Sequence, residues 1–147
     1  MIDTAKGFTI VSSYDATPDE VWTAWTDADA AAQWWFPRGT STPRETVDIN
    51  AQVGGSYVYT MVNDNTGDKI VSGGVFREVV PVERLVFTWG DPNGDPDDTP
   101  VVTITLELVD NGTSMTFDLR GVDGAEGDGF FYDGWKDVLD SLGRYLS

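Results

Sequence analysis

The stretch from Gly129 to Ser147 carries an apolar stripe at helical spacing that is wide enough to cover the face of a sheet. The residues of the stripe are Phe131, Trp135, Val138, Leu139, Leu142, Tyr145 and Leu146. Asp128 precedes the stripe as an N-cap acceptor, after a glycine-rich approach that cannot itself continue a helix. A long helix with one apolar face must pack against another layer, so this stretch predicts a sheet elsewhere in the chain.

Gly134 falls inside this predicted helix. A glycine there costs about 1 kcal/mol relative to alanine, so we expect a packing reason for its presence. Close approach to a strand and room for a ligand are the two reasons that the sequence leaves open.

From Arg44 onward, apolar residues recur at every second position, which predicts six strands joined mostly by short turns. The strongest hairpin signal is Asn111-Gly112, and a clean alternation from Val102 to Leu108 precedes it. An additional strand from Phe8 to Tyr14 is predicted to lie near an edge or to be covered on both faces. Sequential hairpins indicate an antiparallel sheet of about seven strands.

Two short helices are predicted after the first strand. Thr17-Pro18-Asp19-Glu20 combines a capping box with a proline at the first helical position, and Asp27 is an N-cap for a second helix over 28–34. The expected fold is therefore α+β, and the whole chain of 147 residues is expected to form one domain. Gly73 and Gly74, within a predicted strand, indicate a bulge or space beside a ligand.

Composition excludes several kinds of chemistry. Histidine and cysteine are both absent, which rules out Ser-His-Asp and Cys-His triads and the usual zinc ligands. The formal net charge of −16 argues against nucleic acid and anionic membrane surfaces. No apolar run approaches the roughly 20 residues of a membrane span, and no signal peptide is visible, so a cytoplasmic protein without membrane insertion is expected. No cofactor and no metal are predicted.

Acidic residues suggest two further chemistries. The loop Asp91–Asp98 has alternating oxygen donors like a calcium loop, but its glycine and its missing glutamate do not fit that pattern; Asp123, Glu126 and Asp128 invite the same comparison. Acid-base catalysis needs a desolvated carboxyl group, for which the candidates are Glu78, Asp118 and Asp133. Arg77 is a candidate partner for a substrate carboxylate, although a surface ion pair is the favoured interpretation.

Four segments together resemble the AHSA1-like family (activator of Hsp90 ATPase homologue) of the SRPBCC, START and Bet v 1-like superfamily. They are Thr17 to Asp27, Gln33 to Gly39, Gly73 to Trp89 and Gly134 to Leu142. The resemblance implies a helix-grip fold, in which a curved antiparallel sheet grips the C-terminal helix around an apolar cavity. In many relatives that cavity accepts a lipid-like or aromatic molecule. Members often carry a histidine three residues before the Gly-Trp pair, where this chain has Phe131.

Large apolar or amphipathic residues are expected to line this cavity, although they would also serve as ordinary core. They are Trp35, Phe36, Tyr57, Tyr59, Leu85, Phe87, Trp89, Phe117, Phe131 and Trp135. The expected function is binding of a small hydrophobic or aromatic molecule without transforming it. The alternatives are an enzyme of the polyketide cyclase or dehydratase kind, using a carboxylate or a tyrosine, and a protein-interaction module such as an Hsp90 cochaperone.

Overall fold

The computed structural model describes residues 3–147, which form an eight-stranded antiparallel sheet with a long C-terminal helix and short helices. The strands are β1 Gly7–Tyr14, β2 Thr40–Ser41, β3 Asp48–Ile49, β4 Ser56–Asn63, β5 Lys69–Val80, β6 Arg84–Thr88, β7 Val101–Val109 and β8 Gly112–Arg120. The α-helices are α1 Pro18–Thr26, α2 Ala28–Ala31 and α3 Phe131–Leu146, with 3-10 turns at Arg44–Thr46 and Pro96–Asp98. The order across the sheet is β1-β8-β7-β6-β5-β4-β2, with β3 paired to β4. This is the predicted helix-grip architecture, with one strand more than expected.

The two short helices begin as their caps predict. The Thr17 hydroxyl accepts a hydrogen bond from the Glu20 amide at 3.2 Å, and the Glu20 carboxylate accepts one from the Thr17 amide at 3.1 Å. Asp27 caps the next helix by accepting from the Ala30 amide at 3.0 Å. That helix ends at Ala31 rather than at the predicted Trp34, and the chain turns after it. The Trp34 indole donates a hydrogen bond to the carbonyl of Ala24 at 3.0 Å.

The C-terminal helix packs on the sheet through most of its predicted stripe. Trp135, Val138, Leu139 and Leu142 are buried. Tyr145 is 41% exposed, because it lies in the last turn beside the surface of α1, so the buried stripe is shorter than predicted.

The register of β7 and β8 explains the buried face of the sheet. Ile104 pairs with Phe117 and Leu106 with Met115, and all four are buried. Leu108 continues the alternation in sequence but is 70% exposed near the hairpin turn, although its cross-strand partner Thr113 is buried.

The predicted bulge or ligand space at Gly73 and Gly74 is wrong, since the register shift lies between Phe76 and Glu78. Gly73 instead forms a two-hydrogen-bond bridge with Gly90, at 2.9 and 3.0 Å. A Cβ atom at Gly74 would collide with the carbonyl oxygen of Thr88. The absence of side chains at Gly73 and Gly74 allows the backbone of β5 to lie close to the backbone of Thr88 and Gly90.

Replacing Gly74 by alanine is therefore expected to destabilise the protein by about 1–3 kcal/mol, since the backbone of β6 must shift to accept the methyl group. Urea denaturation measures the change. The matched control is Gly134→Ala, because a Cβ at Gly134 meets no atom within 4 Å. That control is expected to stabilise the protein by about 1 kcal/mol through helix propensity. Equal effects of the two changes would contradict this interpretation.

None of the helices described between residues 3 and 147 combines the length and the apolar character needed to cross a bilayer.

Candidate functional site

A cleft of about 370 Å³ opens between the sheet and the first half of α3, and we call it the aromatic cleft. It is lined by Trp35, Pro37, Tyr59, Met61, Ile70, Trp89, Gly129, Phe130, Phe131, Gly134, Trp135 and Val138. Its walls are almost entirely carbon. The position, between the sheet and the C-terminal helix, is where the family resemblance implies a cavity.

Half of the predicted lining residues border this cleft. They are Trp35, Tyr59, Trp89, Phe131 and Trp135. Tyr57, Leu85, Phe87 and Phe117 are buried in the hydrophobic core and do not border the cleft. Phe36 is half-buried and borders neither the cleft nor the core.

Several lining residues were not predicted. Met61 continues the alternation of Tyr57 and Tyr59 along β4, and Val138 lies on the same helix face as Trp135. The sequence pattern could therefore have identified both as lining residues. Ile70 and Phe130 are 55% and 70% exposed, and no periodicity marks them. They form the mouth of the cleft.

Ring contacts fix the walls of the cleft. The Trp89 ring centroid lies 5.1 Å from that of Trp135 and 6.0 Å from that of Phe131, both in edge-to-face geometry. On the other side, Trp35 lies 4.7 Å from Tyr59 and stacks on Trp34 at 5.5 Å. Aromatic pairs of this kind contribute beyond the area that they bury, so the cleft has largely preformed walls.

Tyr59, which borders the cleft, has a buried side chain that ends in a hydroxyl group. The Trp89 Nε1–H donates a hydrogen bond to this hydroxyl at 3.0 Å. Burial raises the pKa of Tyr59 to about 12, and the neighbouring side chains of Trp89, Ser72 and Trp35 offset only part of that rise. The phenol therefore keeps its proton at neutral pH.

Two indole groups on the cleft walls lack a hydrogen-bond acceptor. The Nε1 atoms of Trp35 and Trp135 are buried and make no hydrogen bond. Trp35 lies close enough to Tyr59 to influence its pKa, but its Nε1–H does not meet hydrogen-bond geometry. A buried donor without a partner costs about 1–3 kcal/mol. An oxygen atom of a bound molecule would relieve that cost.

The carboxylates proposed for acid-base chemistry on strands lie away from the cleft. Glu78 is half-exposed and pairs with Arg84 at 3.2 Å. Desolvation raises the pKa of Asp118, but hydrogen bonds from Arg120 and Thr9 outweigh it and hold the pKa below its ordinary value. Such a group is ionised at neutral pH and is a poor proton donor.

The acidic loop Asp91–Asp98 is held by protein contacts. Arg77 donates hydrogen bonds to the Pro96 carbonyl at 2.7 Å and to the Asp97 carboxylate at 3.2 Å. Across residues 3–147, no group of three or more acidic side chains is arranged to hold a metal ion. Arg77 therefore forms a surface ion pair with Asp97, which is the interpretation favoured from the sequence.

Two carboxylates shape the loop before α3. The two oxygens of Asp133 accept hydrogen bonds from the amides of Gly127 at 2.9 Å and Gly129 at 2.7 Å. Asp128 accepts hydrogen bonds from the amides of Phe130 at 2.8 Å and of Asp133 at 3.2 Å, so it pairs an amide of the first helical turn. The N-cap position is nevertheless Phe130 rather than the predicted Asp128, and the helix begins at Phe131. Together the two carboxylates hold Phe130 at the mouth of the cleft.

The pKa of the Asp128 carboxyl group depends on its hydrogen bonds to backbone amides. Desolvation raises its pKa, but hydrogen bonds from the amides of Phe130, Asp133, Ala125 and Tyr132 outweigh it, and the pKa is lowered from 3.8. A lowered carboxyl pKa contributes stability above the unfolded value, and that stability disappears as the pH falls through the folded value.

Replacing Asp128 by asparagine should therefore destabilise the protein most at neutral pH. The difference from the unchanged protein should shrink at acidic pH, as the pH falls through the lowered pKa of Asp128 and the carboxyl group becomes protonated. Urea denaturation at both pH values measures it. Asp68→Asn, in the exposed loop between β4 and β5, is the control and should destabilise the protein less at neutral pH. A destabilisation by Asp128→Asn that is the same at both pH values would contradict the assigned role of the charge.

Comparisons with known proteins agree with this architecture. A sequence profile of the family described as activator of Hsp90 ATPase homolog 1-like protein matches residues 15–147. A protein of known structure from Chromobacterium violaceum is 27% identical, with a TM-score of 0.81 over 96% of this chain and 97% of its own. The AHSA1 protein from Silicibacter pomeroyi is 23% identical, with a TM-score of 0.79 over 95% of this chain and 96% of its own, and this likeness concerns the fold alone.

A search among curated proteins gave no match. The profile match spans most of the sequence and contains all four segments on which the resemblance is based. The chain therefore belongs to the AHSA1 family of activator of Hsp90 ATPase homolog 1-like proteins.

Proposed function

We propose that the protein binds a small hydrophobic or aromatic molecule in the aromatic cleft without transforming it. Proteins with this fold commonly bind ligands or mediate interactions. The observation that carries the proposal is the composition of the cleft, whose carbon walls include two indole groups with unpaired N–H donors. Apolar clefts with a few polar groups are typical of small-molecule sites.

The cleft would bind such a molecule by removing its apolar part from water. Each buried methylene group contributes about 0.8 kcal/mol. A carbonyl, ether or hydroxyl oxygen on the molecule would then accept a hydrogen bond from Trp35 or Trp135. Both nitrogens are shielded from solvent, so a small rotation of the indole ring must accompany this contact.

The ionisable groups that line the cleft favour ligand binding without reaction over the activity of a cyclase or dehydratase. Tyr59 is the ionisable side chain among the residues that line the cleft. With a pKa of about 12, it holds its proton at neutral pH and does not act as a base. Tyr59 is better suited to orient a ligand oxygen.

A small-molecule site is also favoured over a protein-interaction module. The exposed apolar side chains outside the cleft are spread over β1, β5, β7, the turn before β4 and the end of α3. They are Val11, Val53, Val71, Val80, Leu108, Val109 and Tyr145. Scattered exposed apolar residues are ordinary on protein surfaces. Phe130 and Ile70, by contrast, are exposed at the mouth of the cleft itself.

Native mass spectrometry of gently purified protein tests the proposal, combined with tryptophan fluorescence titration of the molecule recovered and of decanol. Trp35, Trp89 and Trp135 line the cleft, so binding there is expected to change the emission. A stoichiometric small molecule that rebinds to emptied protein is the expected result. Protein that is recovered empty and whose emission does not respond to decanol would contradict the proposal.

A further inference from the structure

A second depression adjoins the aromatic cleft, and we call it the polar groove. It has a volume of about 410 Å³ and is lined by Arg38, Gly129, Phe130, Asp133, Gly134, Lys136 and Asp137. Gly129, Phe130 and Gly134 line the aromatic cleft as well. A molecule that fills the cleft can therefore extend into the groove without leaving the protein surface.

Gly134 keeps the boundary between the two spaces open. A Cβ atom built there meets no atom within 4 Å, so neither a strand nor a neighbouring helix requires the glycine. A glycine in a helix interior costs about 1 kcal/mol relative to alanine. Of the two reasons that the sequence allows, room for a ligand is the one consistent with this open space.

The charged groups of the groove differ in how fully they are paired. Asp133 uses both carboxylate oxygens to accept hydrogen bonds from loop amides. Lys136 binds Asp140 at 2.7 Å. Arg38 is 75% exposed, and its Nε lies 3.6 Å from Asp137, which is too long for a hydrogen bond. Arg38 therefore retains hydrogen-bond donors for a ligand.

We propose that the ligand is an amphipathic carboxylate, whose apolar part fills the aromatic cleft and whose carboxylate binds Arg38 in the polar groove. This inference rests on the proposed function of the cleft. A guanidinium group pairs with a carboxylate through two parallel hydrogen bonds, which a neutral head group cannot form. Asp137 competes for the same guanidinium group, so it weakens this contact without replacing it.

The negative net charge of the chain means that a carboxylate can bind only where a local positive charge attracts it. At −16, the protein repels anions in general, so attraction for a carboxylate must come from a local group. Removing the positive charge of Arg38 should weaken carboxylate binding and leave a neutral ligand of the same length unaffected. Removing the negative charge of Asp137 should have the opposite effect on the carboxylate.

The experiment titrates decanoate and decanol into the protein at low ionic strength and follows tryptophan fluorescence. Arg38→Gln is expected to weaken decanoate binding about fivefold and to change decanol binding less than about twofold. Asp137→Asn is expected to strengthen decanoate binding. Arg44→Gln removes the same charge from an exposed arginine that does not line either space, and is expected to change decanoate binding less than Arg38→Gln.

The outcomes separate this inference from the function on which it rests. If neither probe binds, the proposed function fails and this inference fails with it. If decanol binds and Arg38→Gln weakens decanoate no more than Arg44→Gln does, the inference alone is overturned. An equal loss of both probes in Arg38→Gln also overturns it, because the side chain would then act through packing rather than charge.

Discussion

Replacing Phe87 by alanine is expected to lower the free energy of unfolding by about 3–5 kcal/mol. Phe87 is completely buried. Its ring centroid lies 5.3 Å from that of Tyr57, 6.0 Å from those of Trp35 and Phe76, and 6.1 Å from that of Trp25. The large aromatic neighbours cannot collapse fully into the space left behind, so the cost of a cavity adds to the lost burial. Urea denaturation measures the change.

Phe130→Ala is the matched control, because it removes the same side chain from a position that is 70% exposed. Its effect on stability is expected to stay within about 0.5 kcal/mol. Similar losses for Phe87→Ala and Phe130→Ala would contradict the assignment of Phe87 to the closed core.

Replacing Gly134 by leucine is expected to weaken the binding of decanol about thirtyfold. A helical side chain leans toward the N-terminal turn, which here carries Phe130 and Phe131 at the cleft. Leucine would fill part of the cleft and exclude two or three ligand methylene groups, each of which contributes about 0.8 kcal/mol. Tryptophan fluorescence titration measures the affinity.

Gly134→Ala separates the loss of space from the change in the helix. Both variants gain about 1 kcal/mol of helix propensity, but alanine adds only one methyl group. Decanol affinity is expected to fall much less in Gly134→Ala than in Gly134→Leu. A leucine variant that folds and binds decanol as tightly as the unchanged protein would place the ligand outside the cleft.

Much of the fold could be predicted because local chemistry specifies it. The β7–β8 hairpin forms close to the predicted Asn111-Gly112 turn, although its two turn residues are Asp110 and Asn111, and Gly112 already pairs with Val109 as the first residue of β8. The Thr17 capping box starts α1. Strand β2 could not be predicted, since two residues, Thr40 and Ser41, are too few to show a period. Its pairing with β4 depends on contacts distant in sequence.

The candidate site was predicted less completely, because alternation identifies a face but not the depth of a side chain within it. Tyr57 and Tyr59 share one face of β4, yet Tyr57 lies in the core and Tyr59 borders the cleft. The difference depends on where α3 and the segment after α2 cover the sheet. Phe130 was missed because it lies before the helix and outside its apolar stripe.

The two unpaired indole groups could not be predicted from sequence at all. Trp34 and Trp35 are adjacent and both buried, yet only Trp34 finds a backbone acceptor, at 3.0 Å on Ala24. Which tryptophan remains unpaired depends on the exact path of the chain after α2.

The central claim is tested most directly by the indole N–H signals of the six tryptophans in a ¹H–¹⁵N correlation spectrum, recorded while decanol is added. Trp25 and Trp34 already donate hydrogen bonds within the protein, to the sulfur of Met115 and the carbonyl of Ala24. We predict that the signals of Trp35 and Trp135 move on saturation, while those of Trp25 and Trp34 stay in place. Unchanged Trp35 and Trp135 signals at saturating decanol would contradict binding in the aromatic cleft.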